Sequence, residues 1–142
     1  MFIRDSAEIL LFYLTNEQKN EITAIEGIAV IAGGEKFAIH LNDAQSSYLS
    51  SVETATKLYG DIMPTAEQGK IISAKCTDIN NAISSFGGTK LTSSRSYGYY
   101  TSSTTKNSNG DFTNCIYLYY SSDYGSLGTC DYPYIRGVTN IE

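Results

Sequence analysis

The sequence predicts an α+β domain, a mainly antiparallel sheet with two or three short helices packed on it. Three observations carry that expectation. Strand-like apolar runs open the chain, the middle (about 50–86) switches to helical spacing with capping signals, and strand formers return beyond residue 91. Strands first, helices next and strands last place the helices against an antiparallel sheet. A length of 142 residues fits one domain, 1–142, long enough to bury a real core. Charged residues make up 18% and there are only two prolines, a composition that argues against a long disordered segment.

The first run, Ile9, Leu10, Leu11, Phe12, Tyr13 and Leu14, reads as a strand buried on both faces. Residues 25–31 and 36–41 bracket Gly33-Gly34, which supplies the positive φ of a tight hairpin turn. In the second arm Phe37, Ile39 and Leu41 alternate with Lys36, Ala38 and His40, so the former face inward. His40, the single histidine, has no serine or cysteine motif beside it and is read as a bystander on the outer face.

Beyond residue 50 the period changes. Ser50-Ser51 is placed to cap a helix reaching about Tyr59, with Val52, Ala55, Leu58 and Tyr59 on its buried stripe and Gly60 as its stop. Thr65 and Gln68 form a capping box for a second helix that buries Ile71, Ile72 and Cys76. Asp78 is expected to cap a third helix over 79–86, burying Ile79, Ala82, Ile83 and Phe86 before Gly87-Gly88 ends it. In the last third, 97–100, 115–120 and 134–138 read as strands and 101–111 as a loop. Ile116, Leu118 and Tyr120 are assigned to the core face, Cys115, Tyr117 and Tyr119 to the exposed one.

A net charge of −5 without any Lys/Arg cluster excludes a general nucleic-acid binder. No apolar run reaches eighteen residues, so no membrane span is expected, and the first residues lack the shape of a signal peptide. Cys76, Cys115 and Cys130 are an odd number and so not a closed disulfide framework. Cys115 and Cys130 either pair across neighbouring strands in an oxidising compartment or serve as small core residues. No CxxC or His–Cys spacing suggests zinc, and no cofactor is expected.

Nine of the twelve tyrosines fall between residues 91 and 138: Tyr97, Tyr99, Tyr100, Tyr117, Tyr119, Tyr120, Tyr124, Tyr132 and Tyr134. Ser, Thr, Asn, Gly and Asp separate them. Tyrosine gives stiff, amphipathic contact area and the short polar residues give adaptable hydrogen bonds, the palette of a recognition surface. An ordinary half-exposed sheet uses much the same residues.

Several segments, in this order, resemble bacterial C-type-lectin-like domains of the DUF1566 kind. Met63-Pro64-Thr65-Ala66-Glu67-Gln68 is similar to that family's "RLPT-x-E", and the stretch from Asp78-Ile79-Asn80-Asn81-Ala82-Ile83 to Gly87-Gly88-Thr89-Lys90-Leu91 to its "INxAIxxxGGTxL". Tyr99-Tyr100-Thr101-Ser102-Ser103-Thr104 resembles "YYWSSTE", Tyr134-Ile135-Arg136-Gly137-Val138 resembles "YVRPVR", and the hairpin at 27–43 fits the family's opening. Thr101 stands where the family usually has tryptophan, and Gly137 and Thr139 replace its proline and arginine. The triplets of a calcium-dependent sugar site are absent from the sequence. The resemblance implies a C-type-lectin-like scaffold whose C-terminal segment, about 97–134, displays variable side chains. It also implies a place among surface proteins of gut bacteria, phage receptor-binding proteins or proteins diversified by retroelements.

The expected function is therefore a non-enzymatic recognition or adhesion module for a protein or glycan ligand on a cell or virion surface. Its expected ligand-binding residues are Tyr99, Thr101, Thr105, Asn107, Asn109, Asp111, Tyr117, Tyr119, Asp123, Tyr124, Asp131 and Tyr132. The alternative is an assembly subunit of a phage tail or surface fibre, docking or forming a homo-oligomer through the 9–14 strand. Asp111, Asp123 and Asp131 are the carboxylates a glycan-processing enzyme would draw on, but Asp111 and Asp123 sit in turn-like sequence and no nucleophile–base arrangement accompanies them. Asn107, Asn109 and Asp111 form only part of a calcium loop and read as a turn.

Overall fold

The computed structural model describes residues 2–4, 27–92, 96–118 and 125–141. Within them lie strands β1 (Phe2–Arg4), β2 (Gly27–Ala32) and β3 (Glu35–His40), then helices α1 (Val52–Tyr59), α2 (Ala66–Ala74) and α3 (Cys76–Ser85). Strands β4 (Tyr97–Tyr99), β5 (Thr105–Lys106), β6 (Phe112–Cys115), β7 (Gly128–Cys130), β8 (Tyr132–Tyr134) and β9 (Val138–Asn140) complete them. The α+β class holds. Most strand pairings are antiparallel; β1 with β2 and β4 with β8 are parallel. The expected strand at 9–14 lies outside the described residues, as does Tyr120.

The first sheet has the order β1-β2-β3-β9. Its hairpin closes through Gly33 (φ +56) and Gly34 (φ +82), two successive positive angles that match the right-handed twist of the flanking strands. Ile28, Val30 and Ala32 alternate inward on β2 and meet Phe37, Ile39 and Val138; Ile72, Cys76, Ile79, Ala82 and Ile83 of the helices cover them. A second core gathers Ala55, Met63, Tyr100, Phe112, Cys115, Cys130 and Ile135. Backbone bonds of 2.9 Å in both directions join Tyr99 and Ile116, whose side chains enter the first core, while Tyr100 and Cys115 enter the second. Chain at this point separates two cores, so neither face is wet.

That corrects the expected strand at 115–120. The strand is Phe112–Cys115, and Cys115 is buried rather than exposed. The closing strand at 134–138 is also different. Tyr132–Tyr134 pairs with β4, Val138–Asn140 pairs with β3, and Ile135 to Gly137 cross from one sheet to the other. Within the expected loop at 101–111, Thr105–Lys106 forms a short strand against β6.

The helices begin largely where capping chemistry places them. The Ser51 hydroxyl accepts from the Thr54 amide at 3.2 Å. Thr65 and Gln68 form the reciprocal box at 3.1 and 3.0 Å, and the Gln68 amide donates onward to Asn140 Oδ1 at 2.7 Å, fastening α2 to β9. Three details depart from expectation. Leu58 is exposed, because it lies about 60° beyond Ala55 on the helical wheel, outside the narrow arc that α1 buries. α3 starts at Cys76 rather than after an Asp78 cap: the Lys75 carbonyl already accepts from Ile79, and Asp78 sits in the first turn. Phe86 is exposed, because α3 ends there in a Schellman motif. Gly88 N–H donates to Ile83 O, Gly87 N–H donates to Ser84 O, and Gly87 takes φ +76.

Arg136, in the crossing segment, is 1% exposed. Its Nε donates to Asp43 Oδ1 at 2.9 Å, Nη1 to the carbonyls of His40 and Leu41 at 3.2 and 3.3 Å, and Nη2 to the Thr89 carbonyl at 2.6 Å. Backbone bonds from His40 to Gly137, Ala44 to Ile135 and Val138 to Ile62 hold the crossing segment itself. Replacing this residue removes a donor from the His40, Leu41 and Thr89 carbonyls and leaves Asp43 without its cation. Arg136→Met is expected to cost about 3 kcal/mol and Arg136→Lys about 2 kcal/mol, since an ammonium cannot reach every acceptor of the fork. Urea unfolding midpoints check this; losses below about 0.5 kcal/mol, the scale of an ordinary surface change, would contradict it.

Candidate functional site: a tyrosine-lined cleft

Parallel pairing of β4 with β8 sets Tyr97 opposite Tyr132 and Tyr99 opposite Tyr134. Residues two apart on a strand share a face, so Tyr132 and Tyr134 project together. The Tyr97 ring lies 5.4 Å from that of Tyr132 and 5.8 Å from that of Tyr134. Tyr48, from the segment before α1, completes the group at 4.9 Å from Tyr132 and 6.5 Å from Tyr134. The Leu49 amide bonds to Pro133 O, which fixes that segment against β8. Tyr48 and Tyr132 are each 39% exposed, so the group presents ring surface to solvent.

Beside it opens a cleft of about 360 Å³, lined by Asp43, Thr89, Lys90, Thr92, Tyr97, Tyr99 and Tyr134. This is within the volume range of small-molecule sites. The polar lining comes from places the framework fixes. Asp43 is held by Arg136. The Thr89 hydroxyl donates to Asn42 Oδ1 at 2.9 Å, and Asn80 clamps Leu91 through its amide (2.7 Å) and carbonyl (3.3 Å). The Tyr99 hydroxyl accepts from the Thr92 amide at 2.8 Å. Burial, reinforced by the Asp43 carboxylate, pushes the Tyr99 phenol up to about 12, against smaller opposing effects of Thr92 N–H and Arg136. Tyr134 is also raised, by burial first and then by Tyr97, Asp43 and Tyr48.

His40 stays outside the cleft. Its Nε2 lies 2.8 Å from Thr139 Oγ1, and burial, followed by the Arg136 charge, lowers its proton affinity.

The expected site residues scatter. Tyr132 forms the exposed platform, and Tyr99 reaches the cleft only as a wall. Tyr99 is 1% exposed with its ring in the first core, so assigning it to a display surface is corrected. Thr101 is likewise buried at 1%; its hydroxyl donates to Asn114 O at 2.8 Å and accepts from Ser103 N–H. Thr105 is exposed and bonded to Thr113. Asn107 Oδ1 accepts from the amides of Asn109 and Asp111 at 2.9 and 3.0 Å, closing the β5–β6 turn over Gly110 (φ +86). Thr105, Asn107, Asn109 and Asp111 line no part of the cleft. Tyr117 packs on the second core, and Asp131 is exposed with its amide bonded to Ser96 O. Tyr119, Asp123 and Tyr124 lie outside the described residues.

Asp43, Tyr48, Thr89, Lys90, Thr92, Tyr97 and Tyr134 were not expected as site residues. Tyr97 and Tyr134 belong to the tyrosine cluster, and Asp43, Thr89 and Lys90 to the segments that carry the family resemblance. Nothing local distinguishes Tyr48. Among the described residues, no helix is long and apolar enough to cross a membrane.

The raised Tyr99 phenol gives a pH dependence with a definite sign. Both states carry a neutral phenol below about pH 10; between 10 and about 12 only the unfolded chain ionises it. Stability from this group is present in full below pH 10 and is lost as pH rises through 12. Two pKa units correspond to roughly 2–3 kcal/mol. Urea unfolding across this alkaline window is expected to show a shallower loss in Tyr99→Phe than in the native chain, and equal slopes would contradict the assignment. The chain matches no protein-family model, no curated protein and no solved structure.

Proposed function

We propose that the chain is a C-type-lectin-like domain of the DUF1566 kind, and that its tyrosine-lined cleft binds a glycan without transforming it. The observation that carries this reading is the contiguous group Tyr48, Tyr97, Tyr132 and Tyr134, of which Tyr97 and Tyr134 line a polar-walled cleft. Sugar rings present apolar C–H faces that stack on aromatic rings, and their hydroxyls bond to carboxylate, hydroxyl and ammonium groups. Asp43, Thr89, Lys90 and Thr92 offer those groups beside the rings.

The family reading is supported by how the resembling segments meet. Arg136 of the closing segment bonds to Leu41 and Asp43 of the hairpin segment and to Thr89 of the Gly-Gly-Thr segment. Tyr100 N–H bonds to Tyr134 O, and Ser102 N–H to Pro64 O. Five stretches far apart in sequence thus share one bonded framework. Binding rather than hydrolysis is favoured because Asp43 is the one carboxylate among the described lining residues and already accepts from Arg136. Hydrolysis by the common route needs two carboxyl groups across the scissile bond. A module of this kind belongs on a cell or virion surface, with the 97–134 segment as the part that varies.

A glycan array probed with the labelled chain, followed by titration of the best hit, tests the reading. Tyr97→Ala and Tyr132→Ala are each expected to weaken binding by about tenfold or more with little change in unfolding midpoint. Unchanged affinity in both variants, or an array with no hit while a protein ligand is captured, would overturn the glycan assignment.

A further inference from the structure

Cys115 ends β6 and Cys130 ends β7, its antiparallel neighbour. Phe112 faces Cys130 across that ladder. In an uninterrupted strand a residue three positions beyond Phe112 points to the opposite face. The register shift between Phe112 and Cys115 reverses this: Asn114 takes φ +58 and Cys115 comes to face Gly128. One extra residue in one strand is a β-bulge, and its effect here is to put Cys115 on the face of Phe112, Gly128 and Cys130.

Both side chains consequently enter the second core, at 0% and 3% exposure, on one face of the β6–β7 pair. Interaction with Cys130 holds the Cys115 thiol below its ordinary value, while interaction with Cys115, followed by burial, drives Cys130 upward. Gly98 of β4 makes room, since a Cβ there would come within 2.7 Å of the Cys130 sulfur. Cys76 is buried in the first core, among residues of the helical layer.

We propose that Cys115 and Cys130 form an intramolecular disulfide when the chain folds in the presence of a small-molecule disulfide, cross-linking β6 to β7. The Cys115 thiolate attacks one sulfur of the oxidant, expels a small thiolate and forms a mixed disulfide. Cys130 then loses its proton, attacks the Cys115 sulfur and expels the second small thiolate. Two thiol protons end on the two small thiols, and the two electrons removed from the cysteines reduce the oxidant's S–S bond. Exchange takes place before the second core closes or while β6 and β7 transiently part, because both sulfurs are shielded in the folded chain.

The full chain, refolded from urea in a mixture of oxidised and reduced glutathione and then alkylated in denaturant, tests this. One alkylated cysteine per chain, Cys76, is expected, together with an unreduced peptide pair joining Cys115 and Cys130. The oxidised chain is expected to melt about 5–10 °C above the reduced one. Three alkylated cysteines, a link involving Cys76 or a link between chains would overturn the proposal. The Cys115→Ala, Cys130→Ala double variant should lose the redox dependence of melting; its persistence would equally refute the pair.

Discussion

A guanidinium removed from water is tolerated only if its donors find acceptors, because an unpaired buried charge costs far more than a folded domain has to spare. Arg136 meets that condition with one carboxylate and three backbone carbonyls. The acceptors lie at the end of β3, in the segment just after it, and in the return from α3. A planar fork with fixed donor directions positions these segments relative to one another in a way that non-directional apolar packing cannot. The Tyr99 ring, 5.9 Å from the guanidinium carbon, adds an aromatic face to the same arrangement. Arg136 therefore joins the first sheet, the helical layer and the second sheet at one point.

The cleft follows from that junction. Asp43 and Thr89 bond to Arg136, and Tyr134 lies two residues before it, so one anchor sets both the polar wall and part of the aromatic one. Tyr99 separates the cleft from the first core, and its raised phenol expresses how little water reaches it there. Tyr48 and Tyr132 are the freer members, in edge contact with each other and backed by Tyr97 and Tyr134. A rigid base under exposed rings limits the side-chain entropy that binding must overcome.

Local chemistry made much of the fold legible. The Gly33-Gly34 turn, the Thr65–Gln68 box and the Gly87-Gly88 stop depend on residues a few positions apart, and the structure places them as expected. What depends on distant partners did not show. The Asn114 bulge reverses which residues of β6 face inward, and no neighbouring residue announces it. A strand between two cores defeats the rule that alternate residues are wet, which is how Cys115 was misplaced. The tyrosines at 97–134 include three of the four members of the aromatic platform, Tyr97, Tyr132 and Tyr134. They gave no access to Tyr48 or Asp43, which come from a loop some fifty residues earlier and join the aromatic group and the cleft, respectively, through tertiary contacts alone.

The central claim is that the junction around Arg136 is the last part of the molecule to open. Native-state hydrogen exchange of the backbone amides tests it most directly, through His40, Ala44, Thr89 and Val138, whose bonds run to Gly137, Ile135, Leu41 and Ile62. The account predicts that these four exchange only by global unfolding, with one shared free energy equal to that from urea denaturation. Exchange of the four at separate, lower free energies, while the β2–β3 hairpin stays protected, would contradict it.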